Sequence, residues 1–294
     1  GQFNTILWYE RAATNAVTST FINQNSYATF AGLGLLCLMS LFLSNSSQQA
    51  RKQHGYTLGR QKRIERFIIN SWPPLLGMML ITTALISTHY RAGFISAVAA
   101  IVLLLTLFGI RKKLTSTTLL GAIGGLVVIL LLAFSISSET LLIRMDSVSS
   151  DAEGRINVYE LTSNAVKDSP WTGFGYGAFQ EGFRLYRSEE TTGIYDKTHN
   201  TFLENSFELG IPSVVSLLFA LISVTSITAR GVFNRRRDWL YPATGLAATV
   251  LVAIHSFVDF SLQIPAVAIV FCSIMGIALA QATSSNAVNP NALT

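Results

Sequence analysis

The sequence predicts an all-α, polytopic membrane helix bundle with a long, partly helical loop on its outer side. Three observations carry that prediction. Of 294 residues, 50% are hydrophobic and only 13% charged, with a mean hydropathy of +0.44; an average soluble domain carries roughly 25% charged residues. The apolar residues run in uninterrupted blocks of bilayer length rather than at the short periods of a soluble core. Basic residues gather in alternate connections between those blocks. Together these exclude a soluble enzyme, a secreted disulfide scaffold and a disordered chain.

Blocks of roughly 20 apolar residues give seven expected spans in a single membrane domain covering 1–294. They are 26–43, 67–87, 92–110, 117–136, 201–228, 241–257 and 264–280. The connections after the first, third and fifth spans hold six, three and four basic residues, thirteen of the chain's 21 Lys and Arg. Positive charge is retained in the cytoplasm, so these three connections are assigned there. The same retention explains the net charge of +5 without a nucleic-acid partner. Cys37 and Cys272 sit inside apolar blocks with no His or Cys at metal-ligand spacing, and are read as small buried apolar side chains. The first residue is Gly1, and no signal peptide follows. An outside N-terminus without a signal leads to the expectation that further spans precede it.

The segment 137–199 falls on the outer side, with six basic and ten acidic residues. Loops this long are usually functional or disordered, and its aromatic content argues against disorder. Ser150-Asp151-Ala152-Glu153 reads as a capping box opening a helix that runs to about Lys167. Its expected apolar stripe is Ile156, Tyr159 and Val166, and Asp168-Ser169-Pro170 ends it. Gly173, Gly175 and Gly177 make a turn, not a dinucleotide fingerprint, because no strand precedes them. A second short helix is expected near 177–187, with Phe179, Phe183 and Tyr186 on one face. Two such amphipathic helices would lie on the membrane surface or cap the bundle.

Several polar residues stand at the outer boundary. Arg91 sits in a turn short enough to make spans two and three a hairpin, against the positive-inside trend; snorkelling is the plain reading. Arg155 lies early in the outer helix, where a cation opposes the helix dipole. His199-Asn200 marks the return of the chain to the membrane. Glu204 and Glu208 follow, expected to line a wet cleft because buried carboxylates are expensive. His255 and Asp259 are four apart, so a mutual hydrogen bond is expected. Asn25 and Asn23 are read as sugar ligands or as caps of the first span, and Asp168 as the stop of the outer helix.

The order of these residues resembles the O-antigen ligase/polymerase superfamily. The resemblance rests on Gly154-Arg155-Ile156-Asn157-Val158-Tyr159, on Asp168-Ser169-Pro170-Trp171-Thr172-Gly173-Phe174-Gly175, on His199-Asn200-Thr201-Phe202-Leu203 and on Glu208-Leu209-Gly210-Ile211. Thr20 to Ala28, His89-Tyr90-Arg91-Ala92-Gly93 and His255 to Phe260 add to it. Ser213 after Pro212, and Tyr90 before the turn arginine, depart from the usual pattern. The resemblance implies a multi-pass enzyme of the bacterial inner membrane whose active face is periplasmic. It would move a glycan from undecaprenyl pyrophosphate to a hydroxyl of lipid A core or of another glycan, in contact with membrane lipid, with no metal and no cofactor. His199 would be catalytic, and Arg91 and Arg155 would bind pyrophosphate, with Asn200, Glu208, Asn25 and Asp168 in support. A repeat-unit polymerase is the alternative within the same chemistry, and a small-solute transporter the alternative from another class.

The residue types suit that chemistry. Arginine presents a planar fork to phosphate oxygens, and histidine, with an unperturbed pKa of about 6.5, accepts a proton near neutral pH.

Overall fold

A computed structural model describes residues 3–6, 9–12, 17–53, 60–115, 117, 120–121, 124–125, 145–187 and 195–283. Apart from a short hairpin, the regular structure among them is helical. The hairpin pairs β1 (Phe3–Ile6) antiparallel with β2 (Tyr9–Ala12). Two strands of four residues are too brief to stand out as a periodic pattern, and the sequence gives no warning of them.

The helices are α1 (Gln24–Gln53), α2 (Arg60–Ile86), α3 (Arg91–Lys112), α4 (Met145–Asp168), α5 (Phe179–Phe183), α6 (Thr201–Leu209), α7 (Ile211–Asn234), α8 (Leu240–Ser256) and α9 (Pro265–Ala282). A 3-10 turn at Ser261–Gln263 links the last two. Four segments, Gln24–Ser47, Arg91–Lys112, Ile211–Asn234 and Pro265–Ala282, are long and apolar enough to cross a bilayer. They make this a multi-pass membrane protein. Most of the fourth expected span, 117–136, lies outside the described residues.

The core runs between α1, α3, α8 and α9. Leu33 and Leu36 of α1, Ala97 and Leu104 of α3, Ala247 and Leu251 of α8 and Phe271 of α9 are all buried in it. The outward faces are as apolar as the inside: Leu76, Met79 and Leu80 on α2, and Leu217, Phe219 and Ile222 on α7, are exposed. A helix that is apolar all round belongs in lipid, where no hydrophobic force distinguishes its two faces. Cys272 is exposed on α9, not buried as its apolar surroundings suggested.

The expected span 201–228 is two helices, α6 and α7, broken at Gly210. Glu204 and Glu208 lie in α6, and the span-length apolar run begins only after the break, at Ile211. Gly210 takes a left-handed φ of +76°, and Pro212 restarts the helix. Facing it, Gly173 has φ +64°. A Cβ on Gly210 would stand 2.4 Å from the Trp171 carbonyl oxygen, and one on Gly173 would stand 2.5 Å from that of Glu208. The two backbones touch because neither has a side chain there. Backbone hydrogen bonds lock them: Phe174 N–H to the Phe207 carbonyl (2.9 Å), Gly175 N–H to that of Glu208 (2.9 Å), and Ile211 N–H to that of Pro170 (2.8 Å).

The docked turn carries a satellite core. Val158 and Ala165 of α4, Phe179 and Phe183 of α5 and Phe207 of α6 are buried together. The outer helices therefore pack on α6, with Phe179 edge-on to Phe207 and Phe174 stacked on it. Three expectations are corrected here. α4 begins at Met145, so the 150–153 capping box lies inside the helix. Ile156 is exposed; Val166 is buried as expected, and Val158, Thr162 and Ala165 complete the buried stripe. The expected second helix is one and a half turns, Phe179–Phe183, followed by turns through Tyr186.

Gly210→Ala forces a non-glycine residue into the left-handed region and drives its methyl into Trp171. A loss of about 2–3 kcal/mol is expected from strain and overpacking together, read as a lowered unfolding midpoint in detergent. Gly276→Ala, whose Cβ meets nothing within 4 Å, should leave the midpoint unchanged.

Candidate active site

The N-termini of α1, α3 and α6 meet the C-terminus of α8 around one carboxylate. Asp259 follows α8 and is fully buried. Its Oδ1 accepts a hydrogen bond from Asn25 Nδ2 (3.0 Å) and faces His199 Nδ1 at 3.4 Å. The Ser261 hydroxyl donates to its Oδ2, and its carbonyl accepts from the Thr201 hydroxyl at 2.8 Å. His255 Nδ1 is 3.9 Å from Oδ2 but only 2.8 Å from the Thr29 hydroxyl, so Thr29 is its closer partner and the expected His255–Asp259 bond is a secondary contact. Burial pushes the Asp259 carboxyl up. The hydrogen bonds from His199, Ser261 and Asn25 and the nearby His255 more than offset this, and hold it below the ordinary aspartate range.

A carboxylate is an acceptor only, so His199 Nδ1 carries its hydrogen toward Asp259. In the neutral imidazole the other ring nitrogen, Nε2, then carries the lone pair. His199 is partly exposed, its side chain at 30%. Its backbone is left-handed, φ +55°, a conformation that costs about 1–3 kcal/mol and persists where the surroundings impose it. They do so on every side. The Tyr159 hydroxyl donates to the His199 carbonyl at 2.9 Å. Asn200 caps α6 by accepting from Phe202 and Leu203 N–H. Thr198 N–H donates to Glu204 Oε2 at 3.0 Å, and Lys197 bridges Glu204 (2.7 Å) and Gln263 (2.8 Å).

Arg155 reaches the same place from α4. Its Nη1 donates to the Val258 carbonyl at 3.5 Å, the same carbonyl that accepts from the Tyr90 hydroxyl at 3.4 Å. Arg155 and Tyr159 are four apart, so one face of α4 supplies both. Tyr90 lies edge-on to His255, with ring centroids 5.3 Å apart. Burial, with the Asp259 charge adding to it, pushes the Tyr90 hydroxyl far above the ordinary tyrosine value, so it stays protonated and able to donate. Arg91, next in the chain, is the first residue of α3 and exposed. Among the described residues its guanidinium has no hydrogen bond or ion pair. It stands at a helix N-terminus, where the dipole already favours an anion.

The structure thus brings His199 and Asn25 to Asp259 and Arg155 to the neighbouring Val258 carbonyl, while Asn200 caps α6 beside His199 and Arg91 follows Tyr90 in the chain. Two supporting residues go elsewhere. Glu208 is buried and accepts from Phe179 N–H at 3.2 Å, in the satellite core. Asp168 accepts from the Tyr186 hydroxyl at 2.8 Å at the far end of α4. Glu204 and Glu208 do not line a wet cleft: both are buried, and each neutralises or orders a neighbouring segment. Asn25 orients the carboxylate, and Asn23 Oδ1 takes the Asn25 N–H at 2.8 Å. Sequence reasoning missed Tyr90, Tyr159 and Lys197, and saw Asp259 only as a partner for His255. The four-residue spacing of Arg155 and Tyr159 was the available signal.

A bundle of apolar helices with a histidine, a buried carboxylate and arginines at one end defines a membrane protein with a polar site at its helix ends. Residues 76–218 match the O-antigen ligase family model. The match supports the O-antigen ligase superfamily resemblance, and with it a membrane enzyme of the O-antigen ligase/polymerase type. The matched stretch contains Tyr90, Arg91, Arg155 and His199, while Asn25, His255 and Asp259 lie outside it. No curated protein matches the chain.

Because the Asp259 pKa is depressed in the folded protein, Asp259 contributes stability that is present above the unfolded aspartate value of about 3.9 and lost as pH falls through the folded one. Thermal unfolding of wild type and Asp259→Asn should therefore differ most at pH 5–7. The gap should narrow below about pH 4.

Proposed function

We propose that the chain is a glycosyltransferase working at the periplasmic face of the bacterial inner membrane. It moves a glycan from undecaprenyl pyrophosphate to an acceptor hydroxyl, without a metal. The observation that supports this most strongly is the contact of His199 Nδ1 with buried Asp259, beside Arg155.

In this reading Asp259 fixes the Nδ1–H tautomer of His199, as a carboxylate does for a general base. His199 Nε2 takes the proton of the acceptor hydroxyl as its oxygen attacks the anomeric carbon. The bond from that carbon to the pyrophosphate oxygen breaks, and the electron pair leaves on the pyrophosphate. Attack from the face opposite the leaving group inverts the anomeric centre. Arg155 and Arg91 meet the charge that develops on the leaving group, a preorganised donor being worth roughly 3 kcal/mol there. Tyr159, Asn200 and Lys197 hold His199 and do not touch the reacting atoms.

The acceptor is lipid A core in the ligase form of this proposal and a second lipid-linked repeat in the polymerase form. Deleting the gene separates them. Unattached long chains indicate the ligase, and one repeat attached to lipid A indicates the polymerase.

His199→Ala in the full-length enzyme should lower transfer by about 10²–10⁴-fold, with the protein still folded and inserted. Arg155→Gln should lower it about 100-fold, with Arg155→Lys recovering part of the loss, measured as labelled glycan moved from lipid-linked donor. Near-normal transfer by His199→Ala overturns the assignment.

A further inference from the structure

At the other end of the bundle, away from His199, α1, α3, α8 and α9 enclose a cavity of about 540 Å³. Its two sides differ. Lys112, Arg236 and Arg237 stand at one side, with Ser44 and Ser47 of α1 one turn apart on the same wall. Leu41 and Ile277 form the other side, and both are also exposed on the outer surface of the bundle. The cavity therefore opens from a basic rim toward the space that lipid chains occupy.

The rim is built, not merely charged. Arg111 Nη1 donates to the Phe233 carbonyl at 3.0 Å, Nη2 donates to that of Arg235, and the guanidinium lies 5.3 Å from the Trp239 ring centroid. These contacts pin the α7–α8 connection onto α3 and set Arg236 and Arg237 beside the cavity. Neither of those two has a hydrogen bond or ion pair among the described residues. Asp238, at the same rim, is the one acid among the lining residues, so the net charge there is positive. Retention of basic loops in the cytoplasm explains the charges, but it requires no cavity and no apolar wall beside them.

We propose that this cavity binds an anionic phospholipid of the surrounding membrane. Its headgroup phosphate sits between Arg236, Arg237 and Lys112, and an acyl chain leaves past Leu41 and Ile277. Arginine forks suit phosphate oxygens, and basic pockets between transmembrane helices take such headgroups. A free phosphate would leave the wall of Leu41, Ile274 and Ile277 unfilled, and a zwitterionic lipid would leave the arginines uncompensated. This site is independent of the glycan-transfer reading.

Native mass spectrometry of the full chain in detergent tests it. Dioleoyl phosphatidylglycerol, dioleoyl phosphatidylcholine, a polyprenyl monophosphate and inorganic phosphate are added in separate titrations. Phosphatidylglycerol should be retained in preference to the other three. The double variant Arg236→Gln/Arg237→Gln should weaken its retention by roughly thirtyfold, about fivefold per arginine. Ile277→Trp, which fills the apolar wall and leaves every charge in place, should weaken it as well. Arg230→Gln, a basic residue outside the cavity, should not. Equal retention of phosphatidylglycerol and phosphatidylcholine, preference for the polyprenyl phosphate, or unchanged retention in both cavity variants overturns the proposal. If the double arginine variant does not fold, Ile277→Trp alone decides.

Discussion

A charge removed from water must be paired, and one such charge governs this structure. Asp259 is buried, and its partners come from four places: Asn25 at the start of α1, His255 at the end of α8, Ser261 in the 3-10 turn, and His199 before α6. A hydrogen bond to a buried charge is worth about 1.5–3 kcal/mol, so none of these segments moves freely of the rest. Apolar packing holds α1, α3, α8 and α9 side by side but fixes their relative heights poorly, since lipid and core are equally apolar. The carboxylate supplies that missing constraint. It also sets the hydrogen on His199 Nδ1, so the register of the bundle and the state of the imidazole depend on the same atoms.

The outer helices reach this centre through backbone contacts rather than side-chain pairs. The turn 170–175 and the α6–α7 joint meet through Gly173 and Gly210, where no Cβ intervenes. Once they are locked, α4 lies with Val158 and Ala165 inward on the satellite core and with Arg155 and Tyr159 toward His199. Tyr159 then takes the His199 carbonyl, which helps hold that residue at positive φ. A glycine run that reads as a simple turn in the sequence is therefore what aims an arginine 18 residues upstream of it.

The helical bundle was legible because uninterrupted apolar blocks admit few other structures in a bilayer. Its joints were less so. Gly210 breaks a stretch whose first half carries Glu204 and Glu208, and the Gly210-Ile211-Pro212 sequence marks the break. Arg91, Arg155 and His199 stood out by their order along the chain. Asp259 did not stand out as their centre, because its partners Asn25 and His199 are 234 and 60 residues away and no local pattern encodes such distances. Glu204 and Glu208 misled for a physical reason: buried carboxylates are rare without partners, and their partners, Lys197 and a backbone amide of α5, became visible only in three dimensions.

Net charge near His199 separates the cations that scaffold from those that remain available. Lys197 is spent on Glu204, whose carboxylate lies 2.7 Å away with no access to water; the pair carries no excess charge and fixes the loop before His199. Arg155 bonds the neutral Val258 carbonyl and has no acidic partner among the described residues. Arg91 has no acidic partner among the described residues and sits on a helix N-terminus that adds to its field. The Asp259 carboxylate already gathers four partners and is buried, and it forms no ion pair with either guanidinium among the described residues. Neither guanidinium has an acidic partner among the described residues, and two cations beside an imidazole are what a departing pyrophosphate and an incoming hydroxyl require in the proposed reaction.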